Sequence, residues 1–332
     1  VKRREFVSLL GGAAAATWPL GAHAQQSEQM RRIAVMIALP ENDPELQKWL
    51  AAFRHGLEKL GWSQGRNLHI DYRFAPAGVQ AEVLAKELLS LQPEVILAFS
   101  TPVAAAFQRA TRNVAVVFIG IADAVGQGFV PRLAHPAGNF TGLTMYQPSV
   151  SGKWLEMLKE IEPQLARVAF VINPKTAPYY DFYLRGAKVA ARALGIEPVL
   201  TPIENDVADV KRAIATFAHA VSKGGLVVPG DSTTNAHRDL IVSLAAEHRL
   251  PAVYSNEFFV TAGGLMSYGV DWLNEFGQAT FYVDRILRGA KPADLAVQAA
   301  TKFITALNVR TAKALGLAVP PGLLIAADRV IE

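Results

Sequence analysis

The chain has 332 residues, of which 51% are hydrophobic and 19% charged, and its formal net charge is +4. It contains no cysteine, which excludes disulfides, thiolate nucleophiles, cysteine-ligated metals and the lipid-bearing cysteine of a lipoprotein. Lys and Arg are scattered rather than grouped beside aromatics, a pattern that argues against a nucleic-acid surface.

Lys2, Arg3 and Arg4 precede Phe6, a small and apolar stretch runs from Val7 to Leu20, and Ala22-His23-Ala24 closes it. This three-part order predicts a twin-arginine signal peptide over residues 1–24, cleaved after Ala24, and a periplasmic destination. Its many Gly and Ala residues keep the apolar part only mildly hydrophobic, which suits that route. Later apolar stretches are broken by charge, Gly or Pro well short of the roughly 20 residues that span a bilayer, so the exported chain is expected to be soluble. Its length exceeds what one hydrophobic core usually serves, so two domains are expected.

Short apolar runs then alternate with longer helical patterns. Arg32 to Ala38 reads as a strand, Glu45 to Leu60 as a helix stopped at Gly61, Leu68 to Arg73 as a strand and Val79 to Leu91 as a helix. Val95 to Phe99 is the next strand, Pro102 to Thr111 the next helix, and Val114 to Ile119 a further strand. Asp123 to Gly142, rich in Gly and Pro, interrupts the rhythm before Leu143 to Tyr146 and marks the approach to a hinge.

A second series follows: helix Gly152 to Ile161, strand Val168 to Ile172, helix Tyr179 to Leu194, strand Glu197 to Leu200 and helix Val207 to Val221. Strand Gly225 to Val228, helix Asn235 to His248 and strand Ala252 to Tyr254 complete it. The tail adds Gly264 to Tyr268, helix Trp272 to Leu287, Leu295 to Thr305 and a last helix at Val309 to Leu315. Such alternation predicts an α/β protein with two doubly wound parallel-sheet lobes joined by a hinge of several crossings. The expected lobes are residues 31–147 with about 265–300, and 148–264 with about 301–332.

Ligands of open parallel sheets sit beyond the carboxyl ends of the strands, where helix N-termini present free N–H groups. Ser100-Thr101-Pro102 follows one strand, and Gly230-Asp231-Ser232-Thr233-Thr234 follows its counterpart in the second series. Singly, each reads as a helix cap. Paired across two lobes, they suit a ligand carboxylate. Asp123 can meet a ligand ammonium or simply make its turn. Tyr146, Tyr179, Tyr180, Phe182, Tyr254 and Tyr268 gather at strand ends and loops with Asn173 and Asn256, which favours a planar or aromatic ligand.

Catalytic patterns are missing: there is no GxSxG, HExxH, P-loop or GxGxxG after the first strand, and the His residues are dispersed. Asp231, Ser232 and His237 lie too close along one turn and helix to form a nucleophile, base and orienting acid. The reading is a binding protein, not an enzyme, with no cofactor and no metal.

Several stretches carry a resemblance. Arg54-His55-Gly56-Leu57 through Gly61-Trp62, Gly65-Arg66-Asn67-Leu68, Ser100-Thr101-Pro102-Val103-Ala104, His135-Pro136-Ala137-Gly138-Asn139, Ala262 to Gly269, Arg285 to Pro292 and Thr311 to Gly316 are similar to one family. They resemble substrate-binding proteins of ABC importers for tryptophan and tyrosine. The resemblance implies a periplasmic-binding fold of type 1, closure on a small molecule, and delivery to an inner-membrane permease by a monomeric carrier. By position it implies ligand contacts at Ser100, Thr101, Asp123 and Asp231 to Thr233. Ala122-Asp123-Ala124 departs from the Thr-Asp-Pro that members often carry. A ligand sensor for a membrane receptor would use the same site.

Overall fold

The computed structural model describes residues 30–76, 79–145 and 149–332. Residues 1–24, expected from the sequence to be a signal peptide, and Tyr146 lie outside the described residues. Among the described residues, no helix is long and apolar enough to cross a membrane.

The first sheet is built from β1 (Arg31–Ile37), β2 (Leu68–Phe74), β3 (Val95–Phe99), β4 (Ala115–Ile121), β5 (Phe140–Thr144) and β11 (Gln298–Ala299), in the order β11-β5-β4-β3-β1-β2. All its pairings are parallel. Its central strands are apolar without alternation because both faces are covered. Ile33, Val35, Ile37, Leu97 and Ile119 point into one core with α1 (Pro44–Lys59), while Ala34, Met36, Ala98 and Phe118 point into another with α2 (Ala81–Ser90) and α3 (Thr101–Ala110). The two-residue period of a strand makes that division. In α1 the buried positions Leu46, Trp49, Leu50, Phe53 and Leu57 form one stripe, begun by the Asp43 cap and Pro44.

The second sheet has the order β13-β12-β10-β9-β8-β6-β7. Its strands are β6 (Arg167–Ile172), β7 (Glu197–Pro202), β8 (Gly224–Val228), β9 (Ala252–Tyr254), β10 (Met266–Val270), β12 (Phe303–Asn308) and β13 (Arg329–Ile331). Only β10 and β12 pair antiparallel. Around it lie α4 (Val150–Ile161), α5 (Tyr180–Leu194), α6 (Val207–Ala220), α7 (Ser232–Ala236), α8 (Arg238–Glu247), α9 (Glu257–Thr261), α11 (Val309–Leu315) and α12 (Pro321–Ala326). The expected helix Asn235 to His248 is two helices, α7 and α8, meeting at His237.

The chain leaves the first sheet after β5 and returns after β10 as α10 (Trp272–Leu287) and β11, then leaves again for β12. One expectation is corrected. Residues 266–270, grouped above with the first lobe, form β10 in the middle of the second sheet, paired parallel to β9. The short helix α9 supplies the local crossover between them, and a lone apolar strand carries no mark of the sheet it will join. The return begins at Asp271, where α10 packs along α1. Gly56 allows that approach: a Cβ there would stand 2.8 Å from Thr280 Cγ2.

Glu275, on α10, is 1% exposed and its Oε1 has no hydrogen-bond partner. Burial, with a smaller contribution from Asp271, pushes its carboxyl from 4.5 up to about 7. A native pKa above the unfolded one means stability that is full below pH 4.5 and is lost as pH rises through about 7. Glu275→Gln is expected to remove that loss, gaining up to about 3 kcal/mol over the wild type at about pH 8 and little at about pH 4, read by urea unfolding.

Candidate functional site

The carboxyl ends of the two sheets meet around a small cavity with about 30 Å³ of free space in this closed arrangement. From the first sheet come Ala38 after β1, Phe99 to Pro102 at the β3–α3 junction, Gly120 in β4 and Met145 after β5. From the second come Thr176 and Tyr179 before α5, Gly230 to Ser232 after β8, Asn235 in α7, and Ser255 and Asn256 after β9. Trp272, at the start of the returning α10, completes the wall.

Three hydroxyls define the chemistry. Ser100 Oγ, Thr101 Oγ1 and Ser232 Oγ are buried and have no hydrogen-bond partner among the described residues. Each such group costs about 1–3 kcal/mol unless something answers it. Ser100 also sits at φ 91° and ψ 157°, a region natural to glycine, where its N–H donates to the Ile119 carbonyl at 3.0 Å. Gly120 leaves room for this turn, since a Cβ there would press on the Phe99 ring at 3.1 Å. Strain of this kind concentrates where a ligand must be met.

Across the cavity, Asp231 is 4% exposed. Its Oδ1 accepts from the Thr233 N–H at 2.7 Å, the Thr234 N–H at 3.1 Å and the Thr176 hydroxyl at 3.0 Å. Burial pushes its carboxyl above the usual range, and the hydrogen bonds oppose that rise. No Lys, Arg or His forms a salt bridge with it among the described residues. The floor of the site is therefore a desolvated acid held by neutral donors, with no basic side chain paired to it among the described residues.

Asn173 and Thr233 stand behind this floor rather than in the cavity wall. Asn173 Nδ2 donates to Thr233 Oγ1 at 3.0 Å, and its Oδ1 accepts from the Lys175 N–H at 2.9 Å, which ties the β6 loop to α7. Tyr179 lines the cavity with its hydroxyl donating to the Gly230 carbonyl at 3.3 Å. Asn256 lines it too: Oδ1 accepts from Trp272 Nε1 at 2.7 Å, and Nδ2 donates to Asn235 Oδ1 at 3.3 Å. Trp272 meets Phe99 edge-on at 5.2 Å, and Trp49 backs both.

Of the residues singled out in the sequence, the cavity brings together Ser100, Thr101, Tyr179, Asp231, Ser232 and Asn256. Asp123 is not among its lining residues; its Oδ1 accepts the Gly126 N–H at 2.7 Å in the turn after β4. Tyr268 also lies elsewhere, stacked on Phe303 at 5.3 Å. His237 turns its ring to Asn205 Oδ1 at 3.2 Å. Sequence reading passed over Phe99, Thr176, Asn235 and Trp272. Phe99 carried a signal, as the last residue before the Ser100 turn. Trp272 carried none, because its place depends on α10 crossing back.

Two doubly wound lobes that close edge to edge on one small cavity, with the chain passing repeatedly between them, define a periplasmic-binding-protein fold of type 1. The chain belongs to the ABC transporter substrate binding protein family, whose model matches residues 32–331. That family binds small-molecule substrates and works with ABC transporters; it is not a class of enzymes. The tyrosine-binding protein of Clostridioides difficile (strain R20291) is 26% identical over 275 residues, 82% of this chain and 78% of that protein. A conserved domain protein from Vibrio cholerae superposes with a TM-score of 0.83 at 27% identity, covering 91% of this chain and 100% of that one. A Streptococcus pneumonia domain in complex with L-Trp gives 0.84 at 22% identity with the same coverage, a likeness of fold.

Ser100→Gly separates strain from binding. Thermal unfolding is expected to show a gain of about 1 kcal/mol from relief of the backbone. Calorimetric titration of the same variant is expected to show weaker ligand binding, because the Ser100 hydroxyl is gone.

Proposed function

We propose that this chain is the exported ligand-capturing component of an ABC importer, and that its ligand is an α-amino acid with an aromatic side chain. The observation that carries this reading is a set of partnerless hydroxyls facing the cavity together with a buried acid that has no basic side chain paired to it. Ser100, Thr101 and Ser232 offer hydroxyl donors without acceptors, while the buried carboxyl of Asp231, hydrogen-bonded to Thr176, Thr233 and Thr234, has no cation paired to it. A zwitterion answers both, its carboxylate accepting from the hydroxyls and its ammonium donating to Asp231. Phe99, Tyr179 and Trp272 give the rest of the wall aromatic faces and edges.

The related tyrosine-binding protein supports the same ligand class. The twin-arginine pattern at Arg3 and Arg4 supports export to the periplasm, where a monomeric carrier would present its ligand to an inner-membrane permease. Contacts from both lobes to one ligand favour the closed arrangement, and that closed form is what a permease would recognise.

The test is a thermal-shift and calorimetric titration with L-tyrosine, L-tryptophan and non-aromatic amino acids. Aromatic amino acids are expected to raise the melting temperature by mass action. Thr101→Val combined with Ser232→Ala is expected to weaken the best of them by about 10- to 100-fold, since two charge-assisted hydrogen bonds are lost. If no amino acid shifts the melting temperature, the reading fails.

A further inference from the structure

We infer that Arg238 and Asp43 form a latch between the lobes, outside the ligand's reach, that sets how far the empty protein is closed and how slowly it releases its ligand. Asp43 caps α1 in the first lobe, and Arg238 opens α8 in the second, 195 residues away. Arg238 Nη1 donates to Asp43 Oδ2 at 2.9 Å. Neither residue lines the ligand cavity. A second direct bond between the lobes, Trp272 to Asn256, lies in the cavity wall and is exposed to whatever the ligand does.

The geometry makes the outer bond favourable. Asp43 Oδ1 already accepts the N–H groups of Glu45 at 2.9 Å and Leu46 at 3.1 Å. Those bonds belong to α1 alone and persist when the lobes part, so closure asks little further desolvation of the carboxylate. Arg238 is steadied by the Phe258 ring, 5.3 Å below its guanidinium, and Phe258 packs at 6.3 Å on Trp49 of α1. The pair has partly buried side chains, 7% exposed for Asp43 and 25% for Arg238, so salt screens it less than a surface pair. One competitor is present: Asp239 Oδ1 lies 3.8 Å from Arg238 Nε, and its side chain is 84% exposed. When the lobes part, Asp239 remains beside Arg238 as its carboxylate neighbour.

A latch that touches no ligand changes affinity without changing selectivity. It raises the closed fraction of the empty protein, and apparent affinity scales with that fraction for every ligand alike. The inference rests on the importer reading only for its binding readout.

The experiment uses the full-length exported chain with Arg238→Ala, Asp43→Asn, the double variant and Asp239→Asn. Asn at position 43 keeps an oxygen for the α1 cap and removes the charge. Small-angle scattering of the ligand-free protein is expected to show a larger radius of gyration for Arg238→Ala and Asp43→Asn, and none for Asp239→Asn. The double variant is expected to open no further than either single one, as two halves of one contact must. With L-tyrosine and L-tryptophan as probes, Arg238→Ala is expected to weaken each that binds by the same factor, about tenfold, through faster dissociation. Unchanged scattering in both single variants, or fully additive effects, would overturn the latch. If neither probe binds, the scattering alone decides the latch, and only the amino-acid reading is lost.

Discussion

In a parallel sheet each strand must hand its chain to a crossover, so loops and helix N-termini collect at one edge. Here two such edges are turned toward each other, and the rest of the molecule follows from that placement. The β3–α3 and β8–α7 junctions, distant in sequence, come to share one cavity. Groups that would each read as an ordinary cap in an isolated lobe come to line two sides of one cavity. Even the core is subordinate to it: the alternation of Val35 and Met36 to opposite faces secures the helices that aim these junctions inward.

The two junctions are not equivalent, although their sequences look alike. Asp231 spends its carboxyl on Thr233, Thr234 and Thr176, tying the turn into α7. Ser100 and Thr101 spend nothing: their hydroxyls are unmatched, and Ser100 is held in a glycine-like conformation by the backbone around it. One lobe thus supplies a hydrogen-bonded acid with Ser232 beside it, and the other two unmatched hydroxyls.

Buried groups away from the cavity fit the same economy of motion. α10 crosses back to the first lobe carrying Trp272 into the cavity wall and Glu275 into the interior. The aromatic cluster of Trp49, Phe99, Phe258 and Trp272 then spans the junction with ring-to-ring contacts rather than a tight polar seam. The Arg238–Asp43 pair and the Trp272–Asn256 bond are direct polar contacts across the same junction.

The sequence by itself determined the layered α/β class, the tandem arrangement and the strand ends that matter, because these are local quantities: apolar runs, helical stripes, caps and turns. Ser100, Thr101, Tyr179, Asp231, Ser232 and Asn256 were legible for that reason, each standing at a strand's carboxyl end or just before a helix. Asp123 met the same criterion, yet its carboxylate closes its own turn on Gly126, a choice between partners that spacing does not encode. The tertiary structure alone decided which sheet β10 joins, how α10 returns to bring Trp272 to the cavity wall, and that Arg238 faces Asp43. Those outcomes rest on contacts between segments far apart in the chain, where burial and close packing select one arrangement among several that the local pattern allows.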